Sequence, residues 1–125
     1  MTSMKIVLAV VFVTAAALPA SQQATVAGKW KVSANIGGTA SEMDCTFTQK
    51  DDGAMAGTCE GEQGPREISG KLDGKNVTWQ FNTTWEGQTL TVIYSGVLQS
   101  PTKITGRVDV QPLNVSGDFS ATQQK

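Results

Sequence analysis

The groups able to do chemistry in this chain are few, and their types narrow what that chemistry is. Histidine is absent, which removes the usual general base, the commonest metal ligand and the usual partner of a serine nucleophile. Cys45 and Cys59 are the only thiols. They bracket the stretch CTFTQKDDGAMAGTC, whose centre, Asp51-Asp52-Gly53, has the composition of a metal loop or a tight turn. A reactive thiol needs a cation or base beside it to lower its pKa, and no such partner is evident on the flanking segments. A zinc site built from carboxylates alone is rare. The carboxylates Asp44, Glu60, Glu67 and Asp118 fall on positions expected to face solvent. No acid–base pair or activated nucleophile is assembled, so the sequence reads as a non-enzyme with no cofactor.

A second set of residues suits binding rather than reaction. Ile36, Trp79, Phe81, Trp85 and Tyr94 supply apolar and aromatic surface, and Arg66 supplies one charged group. Brought together, they would line a pocket for a small apolar or aromatic ligand, with Arg66 available to a ligand carboxylate. Packed solid, the same residues would simply fill the core, and the protein would be a structural or protein-interaction module with no small-molecule ligand.

The elements that must position these residues are strands. No window of a dozen residues has helical apolar spacing, whereas alternation of apolar and polar residues recurs with turn residues every eight to twelve positions. Eight strands can be placed: KWKVSANI, MDCTFTQK, AMAGTCE, EISGKL, NVTWQFNTTW, TLTVIYSGVL, KITGRVDV and NVSGDFSA. Five segments share the form apolar–x–Gly–x–apolar, with Cys59 counted as apolar: MAGTC, ISGKL, YSGVL, ITGRV and VSGDF. Glycine within a strand marks a bend or a close approach, so five on one inward face predict a tightly curved sheet that closes on itself. The fifth strand places Trp79 where the others have glycine. The expected fold is all-β, an eight-stranded antiparallel up-and-down barrel.

Turn chemistry sets the register. A two-residue Asp73-Gly74 loop would pair Leu72 with Lys75 and Gly70 with Val77, and a two-residue Glu86-Gly87 loop would pair Trp85 with Gln88 and Trp79 with Tyr94. A three-residue loop of Asp51, Asp52 and Gly53 closes on Lys50 and Ala54, with Gly53 where a positive φ is required. Counting outward pairs Phe47 with Gly57 and Cys45 with Cys59. That predicts a cross-strand disulfide on the inward face, at a non-hydrogen-bonded pair with Cα atoms about 4.5 Å apart.

Strand direction sends the loops near Gly37, Gln63, Glu86 and Pro112 to one end, and DDG, DG and QSPT to the other. The first set looks looser and is the expected mouth, with Ile36, Trp85 and Arg66 beside it and Trp79, Phe81 and Tyr94 deeper. Trp30 is expected to plug the opposite end. On the outer face Ile93 and Val97 are apolar exceptions and mark a candidate homo-oligomer contact.

Several segments resemble known families. GKW at 28–30 is similar to the opening of calycin barrels, both lipocalins and avidins. GAMAGTC at 53–59, NVTWQF at 76–81 and TTWEGQ at 83–88 resemble avidin-type barrels, and the whole of 27–122 looks most like small secreted bacterial domains of uncharacterised function. The resemblance implies an eight-stranded barrel with a ligand cavity. The segment after the first-strand Trp reads KVSANIGG and lacks the polar set that contacts biotin, so biotin is not implied.

The chain opens with Lys5, an apolar run from Ile6 to Leu18 and then small residues. That is the pattern of a secretory signal peptide over 1–20, with cleavage as late as 24, followed by a single domain over 25–125. The run is shorter than the ~20 residues a membrane span needs. Past the leader, nine basic residues stand against eleven acidic ones. The resulting net charge of −2 gives no basic face for nucleic acid. The expectation is a secreted or periplasmic protein with no membrane span after cleavage.

Overall fold

The computed structural model describes residues 24–124. The signal peptide expected over 1–20 lies outside the described residues. Eight strands follow in order: β1 Gly28–Ile36, β2 Thr39–Gln49, β3 Ala54–Gly61, β4 Gly64–Asp73, β5 Asn76–Trp85, β6 Gln88–Ser100, β7 Lys103–Gln111 and β8 Val115–Gln123. Each pairs antiparallel with its sequence neighbours, and β1 pairs with β8, so the sheet is a closed up-and-down barrel. Closure leaves no free sheet edge at the point where first and last strands meet.

Alternation explains why these residues make this object. In β1, Trp30, Val32 and Ala34 are buried while Lys29, Lys31 and Ser33 are exposed. The same period of two runs through β5, where Val77, Trp79 and Phe81 are buried and Thr78, Gln80 and Asn82 are exposed. The outside is thus polar and the inside apolar, the reverse of a barrel whose outer band meets lipid.

Inward glycines let the strands coil this tightly. A Cβ added at Gly70 would meet the Thr78 carbonyl oxygen and stand 2.7 Å from the Trp79 Cα. Adjacent backbones are therefore closer at that point than any side chain permits.

The cysteine hairpin folds as its turn dictates. The Lys50 amide donates to the Ala54 carbonyl at 2.9 Å and the Gly53 amide to the Lys50 carbonyl at 2.9 Å. Gly53 has φ +92°, the left-handed position of a three-residue turn. Asp52 caps the same turn through its side chain, accepting from the Ala54 amide at 3.0 Å. Cys45 therefore lies opposite Cys59 and Phe47 opposite Gly57. The cysteines are bonded, with Cα atoms 4.0 Å apart. The Asp51-Asp52-Gly53 stretch is a turn.

One register expectation and one loop expectation need correction. The β4–β5 loop is Gly74-Lys75, closed by Asp73 and Asn76, so Gly70 faces Trp79 rather than Val77. Gly74 holds the positive φ at the first loop position (+64°), as a type II′ turn requires, where the sequence suggested type I′ with glycine second. The slip is two residues, so inward positions stay inward. The second correction concerns the mouth loops. β2 begins at Thr39, leaving only Gly37-Gly38 between β1 and β2, and Glu62-Gln63 alone joins β3 to β4. The loops at the mouth are as tight as those at the base, so loop length does not create the opening.

The base is closed by a segment the strand pattern did not flag. Val26 is fully buried. Its amide donates to Gln49 Oε1 at 2.8 Å, Gln49 Nε2 donates to the Ala24 carbonyl at 3.3 Å, and Trp30 Nε1 donates to the Val26 carbonyl at 2.8 Å. Trp30 and Val26 together plug this end.

Candidate functional site

The lumen is divided into a solid lower half and an open upper half. An aromatic layer fills the lower half. Trp79 stacks on Tyr94 with ring centroids 4.9 Å apart and planes 8° from parallel. Phe119 meets both rings edge-on, each at 5.2 Å, and Phe47 tilts against Trp79 at 5.0 Å. These are favourable offset and edge-to-face arrangements. The Trp79 indole N–H has no hydrogen-bond partner among the described residues.

Above this layer lies a concavity of about 830 Å³, within the range of small-molecule sites. Its floor is made by Phe81, Tyr94 and Met43. Tyr94 on β6 and Met43 on β2 reach toward each other across the barrel, with the phenol oxygen 4.0 Å from Met43 Sδ. Burial pushes the Tyr94 phenol up to about 12, so it stays protonated, with its O–H directed at Met43 Sδ. Ile36, Val92, Thr83 and Arg66 form walls, and Glu42, Asp44, Glu60 and Glu62 stand at the rim.

Strand pairing explains the opening. β4 and β5 pair from Asp73↔Asn76 only as far as Ser69↔Gln80. Above that level both strands continue, to Gly64 and Trp85, but a side chain replaces the ladder. Arg66 Nε and Nη2 donate to Thr83 Oγ1 at 3.4 and 3.3 Å across the seam. On the other side of the same hairpin, β2–β3 pairing stops at Asp44↔Glu60 while β2 runs on to Thr39. The β3–β4 hairpin thus ends below the top of β2 and is unpaired with β5 along its β4 arm, and the upper lumen is open beside it.

The residues singled out from sequence separate into three groups. Ile36, Arg66, Phe81 and Tyr94 line the concavity. Trp79 lies in the solid layer beneath Tyr94, not in the wall. Trp85 is half-exposed at the end of β5 and outside the lining. Its strand is no longer paired with β4 at that height. Met43 and Val92 carried the inward period and could have been named with the site. Thr83 also shared the parity of Phe81, but its type gave no reason to single it out. Ile93 and Val97 lie on the outer face of β6, Val97 exposed and Ile93 half-buried.

No family model and no curated protein matches this sequence. Solved structures match it in fold. A redesigned β-barrel superposes with a TM-score of 0.61 at 15% identity, covering 79% of this chain and 91% of its own. A second redesigned barrel, mFAP0, bound to DFHBI, has a TM-score of 0.55 at 18% identity, covering 78% and 97%. A third, mFAP1, also bound to DFHBI, has 0.52 at 16%, covering 78% and 94%. At such identities the likeness establishes the fold.

Proposed function

We propose that this chain is an exported barrel that binds a small apolar or aromatic molecule in its upper lumen. The observation that carries the reading is the concavity floored by Phe81, Tyr94 and Met43 above a solid aromatic layer. A filled core is the competing expectation; the aromatic layer fits it, and the concavity above that layer supports binding. Barrels of similar architecture hold DFHBI, a small aromatic dye, which supports this architecture as a host for such ligands. The avidin-like and lipocalin-like motifs support the same use. Export is supported by the leader-like opening of the sequence and by the disulfide, which suits an oxidising compartment. The role is binding rather than catalysis on this reading, supported by a lining of apolar, aromatic and hydrogen-bonding side chains suited to hold a small molecule.

The test is titration with N-phenyl-1-naphthylamine, a neutral aromatic fluorophore. Saturable enhancement is expected for the native chain, with loss in Ser41→Trp. Ser41 is exposed on the inward-facing line of β2 beside the opening, so the new ring blocks the space without disturbing the core. Equal enhancement in both proteins would reject the site. Native mass spectrometry of protein from its own compartment would then identify the natural ligand.

A further inference from the structure

Among the described residues, Arg66 has the only charged side chain on an inward-facing line of the upper lumen. The half-buried and exposed positions of β4 alternate so that Gly64, Arg66 and Ile68 face in while Pro65 and Glu67 face out. The rim acids Glu42, Asp44 and Glu60 occupy the opposite, exposed phase of their strands, and Glu62 lies in the exposed hairpin turn.

The guanidinium is held but not neutralised. Nη1 donates to the Pro65 carbonyl at 3.0 Å and to the Gln63 carbonyl at 3.3 Å. Nε and Nη2 both donate to a single oxygen, Thr83 Oγ1, at 3.4 and 3.3 Å. No carboxylate pairs with it, and the ion pair among the described residues is Lys31 with Asp44. The Nε–Nη2 edge is the fork that matches the two oxygens of a carboxylate. Here one neutral oxygen occupies that fork at long distance. The proton of the Thr83 hydroxyl has no acceptor among the described residues, so it is free to donate as well.

The geometry points to an anion-selecting site: the upper lumen takes an apolar or aromatic carboxylic acid, with the carboxylate on the Arg66 fork and the Thr83 hydroxyl. This rests on the reading of the concavity as a ligand site and adds the chemical class. The apolar body lies on Phe81, Tyr94 and Met43, and the acid group faces the seam between β4 and β5. The rim acids oppose an anion at longer range, but they are exposed and screened. The direct charge-assisted pair acts where water is partly excluded and outweighs them. An ammonium ligand would meet the opposite balance, drawn to the rim and repelled by Arg66 inside.

Isothermal titration with three matched probes tests this: 2-naphthylacetate, the neutral 2-naphthylacetamide and 2-(2-naphthyl)ethylamine. The acid should bind about tenfold or more tightly than the amide, with the amine weakest. In Arg66→Gln the acid and amide should converge in affinity, with a native circular-dichroism spectrum and cooperative melting showing that the variant is folded. Thr83→Val should lower the acid preference without abolishing it. Acid and amide binding equally to the native chain would overturn the anion site and leave the concavity reading intact. So would an acid preference that survives Arg66→Gln, or an amine that binds tightest. Absence of binding by all three would remove both readings.

Discussion

Tyr94 is the single tyrosine of the chain, so ultraviolet absorbance of the phenolate reports its ionisation alone. Burial against Trp79, Phe119 and Phe81 raises its pKa from 10.0 to about 12. Because the shift is upward, the folded state keeps the proton after the unfolded chain has lost it. The stabilisation linked to this group is therefore complete below pH 10 and is lost as pH rises from 10 to about 12. Two pKa units correspond to about 2.7 kcal/mol. Urea unfolding across this range should show the native chain losing roughly that much stability relative to Tyr94→Phe, which has no phenol to ionise. Subtracting the variant isolates the contribution of this phenol. The absorbance midpoint should lie near 12 for folded protein and near 10 in urea. A folded midpoint near 10, with identical pH slopes for the two proteins, would mean that the phenol is hydrated and that Tyr94 does not form a buried floor.

Three further perturbations test the frame around the site. Replacing Cys45 and Cys59 by alanine opens a closed loop of about 15 residues, worth about 3 kcal/mol. Thermal melting should fall by roughly 15 °C, with the barrel's circular dichroism retained because the turn and register do not need the bond; no change in Tm would contradict this. Gly106→Val places side-chain atoms against the Ser95 carbonyl and the Gly96 backbone, and should cost about 3 kcal/mol or more in urea unfolding. Val26→Ala empties part of the base plug and should cost about 2 kcal/mol, while fluorophore binding at the opposite end is unaltered; a coupled loss of binding would show that the two ends are not independent.

The parts of this protein that were legible in its sequence are those governed by short-range rules. Period-two alternation gave the eight strands and their inward faces. The Asp51-Asp52-Gly53 turn, whose left-handed residue only glycine supplies cheaply, fixed the facing cysteines by counting. The Gly74 turn was misplaced because Asp-Gly satisfies one hairpin type and Gly-Lys another, and nothing local distinguishes them. The parts that were not legible depend on where pairing stops. Trp85 belongs by parity to the same inward line as Phe81, yet its ring is half-exposed because β4 and β5 separate above Ser69 and Gln80. The same separation brings Arg66 to Thr83, a contact between side chains 17 positions apart that no motif announces. Val26 was hidden for a similar reason, since a lone valine before the first strand carries no period.

The division of the lumen is the central claim, and methyl NMR with N-phenyl-1-naphthylamine tests it most directly. The signals of Met43, Ile36 and Val92, which line the upper space, should shift on binding. Those of Val26, Leu98 and Ile104, which are buried outside the lining of that space, should stay in place. Shifts confined to Val97 and Ile93 on the outer face, or no methyl shift at saturating dye, would contradict an upper-lumen ligand site.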